Sequence, residues 1–252
     1  MKKLALFVSI AVLTGCNAAK QVGSGSTPTH DFSGSWEVVA TSTINSGVIS
    51  YVEFNATQSA NNLTAPVQEF ILGTSAGVRG NCFAVAPGNP QGDVSATING
   101  SSITGTFSEI GPQGSASFSI QAPLTSDTSF SGNFSGTKNS PGCVDSGTFV
   151  ATKATPLSGS YGGMLTYPDG TQEMMSLTAT EDSAYDLTVY GAATGGSENG
   201  PIALSGTVTG NLARLHSTTV PLFSGFAWWD VAAQKLDIVD DNGYEYGFLV
   251  RQ

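Results

Sequence analysis

Apolar and polar residues alternate along most of this chain with a period of two. Val94, Ala96 and Ile98 share one face of an extended segment, Asn99-Gly100 supplies a hairpin turn, and Ile103, Gly105 and Phe107 continue on a return strand. Phe118, Ile120 and Ala122 repeat the pattern, as do Phe130, Gly132 and Phe134. Further on, Ile202, Leu204, Gly206 and Val208 form one face. Leu236 and Ile238 then lead through Asp241-Asn242-Gly243, a second hairpin signal, to Tyr244, Tyr246 and Phe248. Beyond residue 16 no window of helical period stands out. The pattern predicts an all-β protein of about eight short strands per half, joined in sequence order by short turns, which favours antiparallel meanders. A meander that closes on itself has no exposed edge, so two tandem up-and-down barrels are expected, with β-sandwiches as the alternative. Glycines inside strands, such as Gly105, Gly132 and Gly206, suit sharp curvature at barrel corners.

The two halves resemble each other. Phe32-Ser33-Gly34-Ser35-Trp36 matches Leu157-Ser158-Gly159-Ser160-Tyr161. The segment from Phe54 to Thr57 with Leu63-Thr64 matches Leu177 to Thr180 with Leu187-Thr188, and Ile98-Asn99-Gly100 aligns with Val208-Thr209-Gly210. The halves also end alike, in Phe149-Val150 with Lys153 and in Leu249-Val250 with Arg251. Such a repeat predicts two domains of one fold, over 32–154 and 155–252, with a boundary at Ala154-Thr155-Pro156.

The first 31 residues read differently. Lys2-Lys3 precedes an apolar run, Leu4 to Leu13, that is too short to span a bilayer as a permanent helix. It ends in Leu13-Thr14-Gly15-Cys16, which resembles the bacterial lipobox. The resemblance implies a signal peptide over 1–15, cleavage before Cys16, and a diacylglycerol on the Cys16 sulfur that anchors the chain to a membrane. Asn17 stands where an aspartate would signal inner-membrane retention, so an outer-membrane location in the cell envelope is expected. Residues 16–31, polar and rich in Gly, Ser and Thr, read as a lipidated flexible tether reaching roughly 20 Å. With Cys16 occupied by lipid, Cys82 and Cys143 remain, and an even remainder in an exported chain predicts a disulfide. Closing that loop contributes roughly 4 kcal/mol in the chain-entropy picture.

Gly34-Ser35-Trp36, at the start of the first expected strand, resembles the Gly-x-Trp signature of lipocalins and the wider calycin group. The resemblance implies an eight-stranded barrel whose tryptophan closes one end beneath a basic residue near the last strand. Lys153 stands where that residue would lie, as does Arg251 with Tyr161 in the second half.

Composition narrows the chemistry. Hydrophobic residues make up 40% of the chain, enough for a core, while charged residues are only 11%. The 19 acidic residues exceed the 9 basic ones, two of which lie in the expected leader. No basic patch is visible, so nucleic acid is not an expected partner. No spacing of metal ligands or cofactor motif is present, so neither metal nor cofactor is expected. Asp237, Asp240, Asp241 and Glu245 cluster near a hairpin without the spacing of a calcium loop and read as turn chemistry, as do Asp169 and Glu173. His216 is the one histidine outside the tether, and no Gly-x-Ser-x-Gly elbow accompanies it. Trp228-Trp229 places one indole inward and one outward on a strand. With Tyr244 and Tyr246 they form the candidate ligand-binding residues, for a small apolar or glycan ligand. The sequence therefore predicts a non-enzymatic envelope lipoprotein that binds a ligand or another envelope protein. A hydrolase using carboxylates or His216 is the alternative.

Overall fold

In a computed structural model the described residues are 30–43, 49–70, 92–111, 114–138, 144–196, 200–217 and 223–252. Cys16, Cys82 and Cys143 lie outside them, so the expected anchor and disulfide do too. The first half forms β1 (Gly34–Ser42), β2 (Ile49–Ser59), β3 (Asn62–Phe70), β4 (Gly92–Asn99), β5 (Ser102–Gly111), β6 (Gly114–Pro123), β7 (Ser129–Lys138) and β8 (Val144–Lys153). The second forms β9 (Gly159–Thr166), β10 (Gln172–Glu181), β11 (Asp186–Thr194), β12 (Gly200–Thr209), β13 (Leu212–Ser217), β14 (Ser224–Asp230), β15 (Lys235–Asp240) and β16 (Glu245–Arg251). Each strand pairs antiparallel with the next, β8 returns to β1 and β16 to β9, giving two closed eight-stranded barrels. Closure gives each of these strands a neighbour on both sides, and the sandwich alternative does not occur.

Alternation sets which side chains fill each barrel. In β10, Glu173, Met175, Leu177 and Ala179 are buried while their neighbours are exposed. The strand glycines stand where coiling brings backbones together. A Cβ on Gly132 would lie 2.2 Å from the Gln121 carbonyl oxygen, and one on Gly206 would lie 1.7 Å from that of Arg214. Gly100 (φ +59°) and Gly210 (φ +61°) each open a two-residue hairpin loop, β4–β5 and β12–β13. The first turn is thus Gly100-Ser101, one residue later than the expected Asn99-Gly100, with Asn99 and Ser102 as its closing pair. Gly247 (φ +118°) sits at a bulge where the β15–β16 pairing shifts between Ile238 and Val239. Tyr246 therefore faces inward, Phe248 turns outward to 50% exposure, and Leu249 becomes fully buried.

The repeat extends to individual hydrogen bonds at one end of each barrel. Trp36 Nε1 donates to the Phe32 carbonyl at 2.8 Å, and the Tyr161 hydroxyl donates to the Leu157 carbonyl at 2.8 Å. The amide of Phe32 donates to Gln58 Oε1, and that of Leu157 to Glu181 Oε2. Burial raises the Glu181 carboxyl. Lys153 Nζ lies 5.8 Å from the Trp36 ring centroid. Arg251 lies 5.6 Å from Tyr161 and 5.3 Å from Trp229, and it donates to the Pro156 and Ser158 carbonyls. Cation over ring contributes about 0.5–2 kcal/mol. The glycines before these aromatics leave room for the bases: a Cβ at Gly159 would lie 2.7 Å from Arg251 Nε.

Candidate functional site

With one end plugged, each barrel keeps internal space above the plug. The first encloses about 80 Å³ between Val38, Val52, Phe54, Phe118, Phe134 and Phe149. The second encloses about 130 Å³ between Met175, Leu177, Val189, Leu204, Leu215, Ile238 and Leu249. The larger space matches in size an apolar cavity that stays dry and accepts a single benzene-sized guest. It is well below the 300–1,000 Å³ of pockets for drug-sized ligands.

At the end of the second barrel away from Arg251, aromatic side chains ring the cavity. Tyr246 contacts Tyr167 (5.4 Å between centroids), Tyr244 (5.0 Å) and Phe223 (6.0 Å), all edge to face. Tyr167, Phe223 and Tyr246 line the cavity itself. The Tyr167 hydroxyl donates to Glu173 Oε2 at 2.9 Å, and Glu173 is buried on the inner wall of β10. Burial, reinforced by Asp240 nearby, raises the Tyr246 phenol, so it stays a neutral donor. In the first barrel the corresponding end carries Asp145, fully buried, with Oδ1 accepting from the Ser42 hydroxyl at 2.5 Å and the Ser146 amide at 2.8 Å.

The expected ligand residues separate into two places. Tyr244 and Tyr246 belong to the aromatic rim. Trp229 faces inward at the plugged end, edge to face with Tyr161 at 6.0 Å. Trp228 faces outward, as alternation requires, but it is 5% exposed because the barrels meet there. It packs with Leu212 and Phe226 of the second barrel and Tyr51 of the first. The β12–β13 turn seats against the outer face of β1 and β2. Asn55 Nδ2 donates to the Val208 carbonyl at 2.7 Å and its Oδ1 accepts from the Gly210 amide at 3.2 Å. Glu53 Oε2 accepts from the Asn211 amide at 2.7 Å, and its Oε1 accepts from Trp228 Nε1 at 3.3 Å. A Cβ on Gly210 would lie 1.9 Å from Glu53 Oε2.

The residues named for alternative chemistry are also placed. His216 Nε2 lies 3.0 Å from Ser205 Oγ, a cross-strand pair on the outer face of β12 and β13 whose next neighbours are Ser224 and Arg214. The pair is exposed, so water competes for both partners. Two carboxylates do converge, Glu37 and Glu53, but they are sealed inside the joint rather than lining a cleft. Asp240 caps its hairpin by accepting from the Asn242 and Tyr244 amides, and Gly243 carries the positive φ of +82°. Among the described residues no three His, Cys, Asp or Glu side chains gather as metal ligands. Among them, too, no helix is long and apolar enough to cross a membrane.

Sequence reasoning missed Glu37, Glu53, Asn211 and Asp145 as buried polar groups, and it read Glu173 as turn chemistry. Glu173 was readable in principle, since it shares the inward register of Met175 and Leu177. No protein-family model matches the chain, and no curated protein matches it.

Proposed function

We propose that this chain is a lipid-anchored envelope protein whose second barrel binds one compact apolar molecule without transforming it. The observation that carries the reading is the cavity of about 130 Å³, walled by aliphatic side chains and rimmed by Tyr167, Phe223 and Tyr246. An apolar wall rejects glycans, which leave hydroxyls unpaired there, and so favours the hydrophobic arm of the expected ligand classes. The tandem barrels with Trp36 beneath Lys153 and Tyr161 beneath Arg251 support a lipocalin-like relationship as well as a lipocalin-like shape. The Leu13-Thr14-Gly15-Cys16 sequence supports anchoring through Cys16 to the outer membrane.

Native mass spectrometry of protein purified from its host membranes tests both parts. A diacylglyceryl mass on Cys16 and a retained small hydrophobe are expected. An unmodified Cys16 thiol removes the anchor. A chain that neither retains a hydrophobe nor binds toluene in solution removes the binding site. Contact with another envelope protein is a second reading. It is favoured by an exposed apolar strip in which Met164 and Met174 face each other across β9 and β10, with Val250 on adjoining β16.

A further inference from the structure

Glu37 and Glu53 are cross-strand partners of β1 and β2 on the outer face of the first barrel. Like charges directly opposite repel even when solvated. Here the second barrel covers both, leaving Glu53 fully buried and Glu37 8% exposed. Two ionised carboxylates cannot be held together out of water without a compensating charge. Among the described residues, the groups packed against them bring none. Tyr51 of β2, Asn211 of the β12–β13 turn and Trp228 of β14 are neutral, and Asp230 of β14 is a further acid. Thr152 on β8 and Gln68 on β3, their partners in register, are neutral too.

The donors also fall short. Glu53 accepts from the Asn211 amide and the Trp228 indole. The Asn211 side chain bonds Glu37. Among the described residues that leaves Glu37 Oε2 and Asn211 Oδ1 buried with no donor. One hydrogen on the pair relieves the repulsion and supplies a donor where acceptors crowd. We propose that Glu37 and Glu53 share a single bound proton and that this proton holds the two barrels together. The joint is tight while the proton is present and loosens when it leaves.

The direction of titration agrees. Burial, then the neighbouring Glu37 charge, pushes Glu53 well above the usual carboxylate range, and burial pushes Glu37 up as well. A carboxyl whose folded value is raised stabilises most below its unfolded value of about 4.3, and that contribution is lost as pH rises through the raised folded value. The proton is thus a ligand of the folded joint, and alkaline solution withdraws it.

Thermal unfolding of the full chain, from about pH 4.5 upward past neutrality, compares the wild type with Glu37→Gln. The glutamine carries a permanent N–H toward Glu53. Above neutrality the variant is expected to melt higher than the wild type by on the order of 3 °C or more. In acid the two are expected to converge. A constant offset at every pH would mean a purely structural contact and overturns the proposal. Assigned carboxyl carbon-13 spectra of the wild type are expected to show Glu37 or Glu53 titrating above the ordinary range, and they do not depend on any variant folding. If both of these carboxyls titrate normally, the proposal fails. It also fails if calcium or sodium, at fixed ionic strength, raises the melting temperature of the wild type and not of Glu37→Gln, because a metal then balances the charge. If Glu37→Gln does not fold, Glu53→Gln is read in the same way.

Discussion

Ala227 offers a direct way to fill the second cavity. It is 1% exposed and lies on the inner face of β14. A void in a core costs about 24 cal/mol per Å³, so 130 Å³ represents about 3 kcal/mol of forgone stability. Ala227→Leu adds three carbons to that space. At about 0.8 kcal/mol for each buried carbon the gain is at most about 2.4 kcal/mol. Strain against the neighbouring wall takes back about 1 kcal/mol or more, leaving a net gain of about 1 kcal/mol. Urea unfolding followed by tryptophan emission measures the stability, and toluene titration by calorimetry measures the site. The variant is expected to unfold at higher urea and to bind toluene at least tenfold more weakly. A loss of 1 kcal/mol or more with toluene binding unchanged would show that the leucine met a packed wall and that the guest sits elsewhere.

Tyr161→Phe removes the donor to the buried Leu157 carbonyl and is expected to cost about 1–2 kcal/mol in urea unfolding, without loss of toluene binding. Gly206→Ala drives a Cβ into the Arg214 carbonyl and is expected to leave the second barrel unfolded by circular dichroism. Gly100→Ala meets nothing within 4 Å and is expected to cost only about 1 kcal/mol, for its positive φ alone. Asp241→Asn breaks the bidentate pair with Arg214, and because both side chains are more than a third exposed, a change below about 1 kcal/mol is expected.

Much of this architecture was legible because alternation with short turns leaves few arrangements open. The inward row at Ile202, Leu204, Gly206 and Val208 and the pairing of Trp36 with Tyr161 followed from residue type and repeat. The β16 register did not, because Gly247 adds a residue to one strand and moves Phe248 to the outside, and a glycine in a strand marks such a place without requiring it. The joint was illegible for a different reason. Alternation assigns Glu37, Glu53 and Trp228 to outer faces correctly, but a period of two cannot say whether an outer face meets water or another barrel. The rim was mostly legible: Tyr244 and Tyr246 were named and Phe223 reads as part of the same aromatic group, whereas Tyr167 joined them only through closure of β9 onto β16.

The docked hairpin makes the tandem directional. Register places Gly162 and Ser176 of the second barrel where the first has Glu37 and Glu53, and Ser101 of the first where the second has Asn211. The leading copy is therefore a socket and the trailing copy a plug. A third unit appended behind would find no acids to seat against, so this joint ends at a pair instead of propagating into a filament.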